Sequence, residues 1–448
     1  MKKGWKIVLC ILLALVLVVG GYVAYVLIDY HRIGDQELAV QNGAAETSIA
    51  AGETYKIVSY NIGFGAYESD YGFFMDGGTE SRAWSEERLT ANLDRITRTL
   101  TDQNADFYLV QEVDIDSTRS YHVDEREPLY AALSWENSVF CQNYDSPYLM
   151  YPLTKPHGAS RSGLLTFAPA EITSARRVEL PVESGFMKLL DLDRCYSVSR
   201  IPVDGGRELV LYNLHLSAYT SDGTIATEQL SLLLRDMQRE YEKGNWCVAG
   251  GDFNKDLLGD SAQYFGAADQ AYSWAQPIPD ETFDGFAVRL VAPLDEQNPV
   301  PSCRNADGPY HEGQYVLTVD GFLVSANVTV EQSNVIDTGF ESSDHNPVQM
   351  TFRLETGEIS SHIGRKKDGI AGCAAGYAVL FRKLVGAGLQ VRFCAAFSSR
   401  RRKAFCSSGV IPASRASSPL RISPRAAQQL CSPCVVMDKR LTRRSAAS

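Results

Sequence analysis

The segment ESSDHNPV, residues 341–348, sets Asp344 beside His345 just ahead of a proline and a short apolar run. Other polar side chains, Asn61, Glu112, Asn213, His215, Asp252, Asn254 and Asp320, stand within or at the end of apolar runs. Burial at such positions penalises a polar group that lacks a partner. Carboxylates, amides and imidazoles bind hard cations and carry protons, so their recurrence points to a chemical site. One Asn or Asp at a strand end is commonly a turn former, and one His on an apolar face is commonly a hydrogen-bonded core residue. The set as a whole fits neither description.

These residues need strand ends to hold them. YKIVSYNIGFG places Ile57, Ser59 and Asn61 on one strand face, with Gly63 and Gly65 ending the strand. A helix follows, with Ser85 as N-cap and Leu89, Leu93, Ile96 and Leu100 at helical spacing. FYLVQEVD, LLTFAP, CYSVSRIPV and ELVLYNLHLSA read as further strands. A second amphipathic helix opens near Thr224, carries Leu230, Leu233, Met237 and Tyr241, and stops at Gly244. WCVAGGDFN, YVLTVDGFLVS and the run after His345 supply the remaining strands. Strands outnumber helices and several run consecutively. The pattern predicts an α/β fold of two stacked, mixed and mostly antiparallel sheets flanked by helices, a four-layer sandwich, rather than one doubly wound parallel sheet.

In this order, SYNIG, LVQEVD, NLHLSA, GGDFN, TVDGF and SDHNPV resemble the motif set of the endonuclease/exonuclease/phosphatase superfamily, over about residues 54–354. The resemblance implies a divalent-metal-dependent hydrolase of phosphoesters, with Mg²⁺ as cofactor and Mn²⁺ as a substitute. A phosphoester resists attack because of its own negative charge, so an enzyme must neutralise the phosphoryl oxygens, activate a water and support the leaving oxygen. Mg²⁺ suits the first task, being hard and keeping open positions. By the resemblance, Glu112 is the principal metal ligand, with Asn61 beside it and Asp344 completing the shell. Asp252 positions or deprotonates water and Asn254 holds a phosphate oxygen. His215, with Asn213 on the same strand face, bonds a phosphate oxygen or protonates the leaving group. His345 faces the scissile phosphate while Asp320 holds its other nitrogen. A catalytically silent surface domain on the same fold, binding a partner, is the alternative.

The net charge of -11 hides an asymmetry. Residues 1–354 carry -24, and from Glu355 on there are 17 Lys/Arg against 4 Asp/Glu. An acidic body offers little overall to a long polyanion, which leaves lipid headgroups, nucleic acid and small phosphoesters all open as substrates, with no obligate protein partner evident. Lys2, Lys3 and Lys6 precede an uncharged run from Ile7 to Ile28. Such a run spans ~33 Å as a helix, enough to cross a bilayer core. Residues 1–28 are therefore expected as a membrane anchor with a cytoplasmic N-terminus and an exported domain, or as a cleaved signal peptide. Residues 29–53 read as a polar connector, 54–354 as the catalytic domain and 355–448 as a basic, disordered tail. Cys141, Cys195, Cys247 and Cys303 are widely spaced and read as buried thiols.

Overall fold

The period-two runs form strands and the period-3.6 runs form helices, in two sheets of seven strands each. The structure is a computed structural model, and it describes residues 3–43, 46–182, 191–218, 224–266 and 275–357. The basic tail lies, from residue 358 on, outside the described residues.

The first sheet runs in the order β1 (Gln36–Glu37), β7 (Ser174–Glu179), β8 (Cys195–Val203), β9 (Arg207–His215), β10 (Trp246–Asp252), β14 (Asp320–Ser325) and β11 (Val288–Val291). The second runs β15 (Val328–Val335), β16 (Val348–Leu354), β3 (Thr54–Asn61), β4 (Phe107–Asp114), β6 (Arg161–Ala168), β5 (Asn137–Asp145) and β2 (Val40–Gln41). β12 (Cys303–Arg304) and β13 (Val316–Leu317) make a separate two-stranded ribbon. Each large sheet has one parallel pair, β3 with β4 and β9 with β10. Parallel neighbours need a crossover, which α2 (Glu86–Thr101) and α4 (Thr224–Glu242) supply.

Ser85 caps α2 by accepting from the Arg88 N–H at 3.2 Å, and Glu86 and Glu87 favour the positive end of the helix dipole. Leu89, Leu93, Ile96 and Leu100 are buried against Val58, Tyr60, Tyr108 and Val110 of the second sheet. Each such burial stabilises by about 1.5–3 kcal/mol. Leu230, Leu233 and Met237 of α4 pack in the same way on Val210, Tyr212 and Cys247 of the first sheet. Between the sheets lie Ile57, Phe107, Leu109, Leu211, Trp246, Val248, Phe322 and Phe352. Helix, sheet, sheet and helix are the expected four layers.

The segment 29–53, expected as a connector, is built into the domain. β1 adds an edge strand to the first sheet through β7, and β2 adds one to the second through β5. The buried Arg177 guanidinium donates to the Ile33 and Gly34 carbonyls, and Asp35 accepts from the Glu179 N–H at 2.6 Å. Ahead of this segment, α1 (Lys3–Asp29) is long and apolar enough to be a membrane span or a signal sequence.

Gly251 explains one half of GGDFN. Its φ is +147°, and a Cβ there would stand 2.0 Å from the Leu214 carbonyl oxygen of β9. Only glycine permits that close pairing next to Asp252. Gly251→Ala is expected to cost about 2 kcal/mol or more, measured by urea unfolding. An unchanged midpoint would refute this account of the turn.

Candidate active site

Strand register, more than loop geometry, assembles the polar residues. In the first sheet Asp252 lies opposite His215 on its parallel side and opposite Asp320 on its antiparallel side. Three chemically active residues therefore stand in a row across the ends of β9, β10 and β14. In the second sheet Asn61 pairs with Gln111, and the β4–β6 ladder then slips between Val110 and Val113. That bulge puts Glu112 in a left-handed conformation, φ +57°, and brings its carboxylate to the Asn61 amide nitrogen at 3.2 Å. A non-glycine residue held there marks a site the surrounding structure over-determines.

The segment ESSDHNPV, residues 341–348, closes the site. Its loop is fixed by Ser343, whose hydroxyl donates to the Asn61 carbonyl at 2.8 Å and accepts from the His345 N–H at 3.2 Å. Asn92 of α2 adds a bond to the Ser342 carbonyl at 2.7 Å. His345 Nδ1 then meets Asp320 Oδ2 at 2.8 Å. Its Nε2 stands 3.8 Å from Asp252 Oδ2 and 3.7 Å from Cys303 Sγ. Burial works against a charged imidazole, yet Asp320, Cys303 and Asp344 outweigh it and raise His345 well above its usual value. His345 is the imidazolium of the site.

His215 is the opposite case. Its Nε2 lies 3.5 Å from Asp252 Oδ2, and its buried Nδ1 has no hydrogen-bond partner among the described residues. Burial, followed by the positive charges of Arg194, His345 and Arg119, holds it well below its usual value. It is neutral. Asp252 accepts from the Asn254 backbone N–H at 2.8 Å and from Asn61 at 3.1 Å. Burial raises its carboxyl, with His345 opposing and Asp320 adding to the rise. Asn254, at φ +50°, turns its side-chain nitrogen to the Leu216 carbonyl at 2.8 Å.

Glu112 and Asp344 are the two partly exposed carboxylates, whereas Asp252 and Asp320 are buried. Burial pushes the Asp344 carboxyl upward against His345 and Arg304, and nearby Glu112 adds to the rise. Two partly open, mutually repelling carboxylates form an oxygen donor set of the kind a hard cation neutralises while keeping its waters. Asn61, expected beside Glu112, lies within hydrogen-bond reach of that carboxylate. Its oxygen accepts from the Gly63 N–H at 3.0 Å, so its nitrogen faces Glu112 and Asp252. As oriented, it ties those two carboxylates together. Asp252, Asp320 and His345 also bring three potential ligand atoms within 4.8 Å of one another. There, however, His345 Nδ1 is engaged by Asp320 and the imidazole is charged. That trio suits proton handling better than metal ligation.

Asn213 stands apart from the expected substrate-binding group. Its nitrogen donates to the Val110 and Leu165 carbonyls and to Thr166 Oγ1, at 3.1–3.3 Å, and its oxygen accepts from Gln111 at 2.8 Å. It joins the two sheets inside the core. Residues the motifs did not disclose include Ser302, which donates to Asp320 Oδ2 at 2.7 Å, and Arg119, paired with Asp114 at 2.8 Å and stacked over Phe64 at 3.9 Å. A lone Ser and an Asp–Arg pair five apart carry no readable signal. Ser343 lies inside the SDHN motif, where its type alone does not announce a structural role.

The sequence model of the Endonuclease/Exonuclease/phosphatase family matches residues 58–345, from β3 to the site histidine. The chain belongs to that family. Its members are phosphoester hydrolases, and membership assigns this chain the same broad activity. Among solved structures, the endonuclease/exonuclease/phosphatase from Beutenbergia cavernae DSM 12333 is 14% identical, covering 68% of this chain and 73% of that one, with a TM-score of 0.46. The corresponding protein from Bacteroides vulgatus is 15% identical, covering 68% and 100%, with a TM-score of 0.44. ANGEL2, a 2′,3′-cyclic phosphatase in complex with adenosine-2′,3′-vanadate, is 17% identical, covering 71% and 99%, with a TM-score of 0.46. No curated protein matches the chain in sequence.

The placement of Asn213 yields a test. Asn213→Ala is expected to lower stability by about 1–3 kcal/mol, the cost of orphaning buried partners, while turnover per folded molecule stays within a few-fold of wild type. Denaturant unfolding and activity measured on one preparation check this, and a stable but inactive protein would return Asn213 to the substrate.

Proposed function

We propose that the chain is a divalent-cation-dependent phosphoester hydrolase whose catalytic unit lies within residues 54–354. The observation that carries this reading is the convergence, at the ends of both sheets, of a charged Asp320–His345 pair, a raised carboxyl at Asp252 and the partly open carboxylates Glu112 and Asp344.

In this reading Glu112 and Asp344 hold the cation, and Asn61 keeps Glu112 and Asp252 in register. Mg²⁺, with Mn²⁺ as a substitute, supplies charge neutralisation at the phosphoryl group when bound. Asp252 accepts the proton of the attacking water, a role favoured by its raised affinity for protons. His345 directs Nε2–H toward the phosphoryl or leaving oxygen, and Asp320 fixes its tautomer and charge. His215, being neutral, serves as a hydrogen-bonding neighbour of the phosphate rather than as the acid. Asn254 orders the Asp252 turn through its backbone N–H and stands beside the phosphate position. The acidic body and the apolar helix α1 support a small or lipid-borne phosphoester over a long nucleic acid.

Hydrolysis of a generic phosphodiester is expected to stop in excess EDTA and return with Mg²⁺ or Mn²⁺, and Glu112→Gln should raise the metal concentration needed for half-activity by about 10-fold or more. Full activity in EDTA would overturn the cation dependence.

Asp320→Asn and His345→Ala should each lower kcat by about 100-fold or more, with little change in KM. Because both act through one imidazole, the double variant should lose far less than the product of the two. Multiplicative losses, or near wild-type turnover from folded His345→Ala, would remove the pair from the mechanism.

A further inference from the structure

The loop between β5 and β6 exposes an unusual run of apolar side chains. In YLMYPL, residues 148–153, Tyr148 is 36% exposed, Met150 46%, Tyr151 68% and Leu153 81%. Surface-exposed residues of this type are ordinary when scattered, whereas a contiguous group marks an interaction surface.

This group lies against α1. Tyr22 donates its hydroxyl proton to the Tyr148 carbonyl at 3.2 Å, the Met150 N–H donates to Tyr22 Oη at 3.0 Å, and the Tyr148 N–H donates to Tyr25 Oη at 3.0 Å. The attachment of α1 to the domain is firm on the other side as well. β1, β2, Arg177 and Asp35 bind the stretch directly after the helix, and Arg32 pairs with Glu179 at 3.3 Å and Asp193 at 3.5 Å. The domain therefore does not hang from α1 on a loose tether.

Depth follows from helix geometry. The apolar run ends at Ile28, and Tyr22 and Tyr25 stand three to six residues before it. At a rise of 1.5 Å per residue, the contacts lie ~5–9 Å inside the end of the run. That is the depth at which apolar side chains of interfacial segments sit, at the headgroup–acyl boundary, and tyrosines are enriched there. We infer that residues 148–153 form a membrane-embedded lip, which enters the leaflet nearest the domain alongside α1. The occupant of this surface is lipid, because the same bilayer that takes the apolar run up to Ile28 must surround a loop bonded to Tyr22 and Tyr25.

The lip stands on the side of the fold that carries the candidate site. Tyr151 packs on Phe74 at 5.7 Å between ring centroids, Phe74 on Phe73 at 4.8 Å, and Phe73 on Tyr67 at 5.6 Å. Tyr67 and Asp344 flank Gly63 together, since a Cβ on Gly63 would stand 2.8 Å from the tyrosine ring and 3.2 Å from Asp344 Oδ1. A file of aromatic rings thus connects the lip to the rim of the site.

The test uses the full chain in phosphatidylcholine nanodiscs containing a phosphatidylcholine analogue with a diazirine on its acyl chain. After photolysis, peptide mapping by mass spectrometry is expected to find lipid adducts on residues 148–153 as well as on α1. Leu153→Asp, a change at a side chain 81% exposed, should reduce the loop adducts several-fold while leaving α1 adducts and the melting temperature unchanged. Adducts confined to α1, or a chain that leaves the disc, would overturn the proposal. The readout is independent of hydrolysis, so its failure is distinct from any failure of the activity assay.

Discussion

The buried hydrogen bond between His345 and Asp320, 2.8 Å long, joins the two sheets at the end where the polar residues gather. Asp320 begins β14 of the first sheet, and His345 stands three residues before β16 of the second. A charged pair removed from water is tolerated only when both groups are held by further hydrogen bonds. Ser302 holds Asp320 and Ser343 holds the His345 backbone. Ser343 in turn bonds the Asn61 carbonyl, and Asn61 bonds Glu112 and Asp252. Removing His345 or Asp320 leaves the other as a buried charge without its counter-charge, and the neutral members keep the pair in place.

The two imidazoles show how burial and charge divide the work between like groups. His215 and His345 both approach Asp252 Oδ2, at 3.5 and 3.8 Å. His345 has a carboxylate on its far nitrogen, and His215 has no hydrogen-bond partner there among the described residues. That difference keeps His345 charged and His215 neutral, although their distances to Asp252 are alike. The same logic separates the two carboxylates enclosed by the sheets, Asp252 and Asp320, which take hydrogen bonds, from the two partly open to water, Glu112 and Asp344, which are the ones proposed as cation ligands.

Much of this arrangement was legible from the sequence, because strands buried on both faces read as continuous apolar runs. β4 and β8 fall on the residues expected, 107–114 and 195–203, and Ser85 caps α2 as expected. The strands that escaped notice, among them β7 with SARRVE and β15 with VTVEQSNV, lie toward the sheet edges, where one face meets water and charge breaks the pattern. Asn213 and His215 share one strand face by the period of two, but periodicity carries no depth. Two residues amount to ~7 Å along a strand, enough to move Asn213 from the rim into the inter-sheet core. Ser302 escaped because a hydroxyl 18 residues from its partner in the chain has no periodic signature. A polar composition looks alike in a tether and in a short edge strand, so residues 36–41 carry no sequence signal of their pairing with β7 and β5.

The bond between Ser343 and Asn61 spans 282 residues of chain. β3 is an early strand of the domain, yet its site end is completed by the last loop before the final strand. Contacts between such distant segments form late, because the loop entropy they close must be met by structure already in place. A chain emerging N-terminus first would therefore hold Asn61, Glu112, His215 and Asp252 well before Asp344 and His345 arrive. The proposed site is therefore complete only once the last loop before β16 has closed on the end of β3.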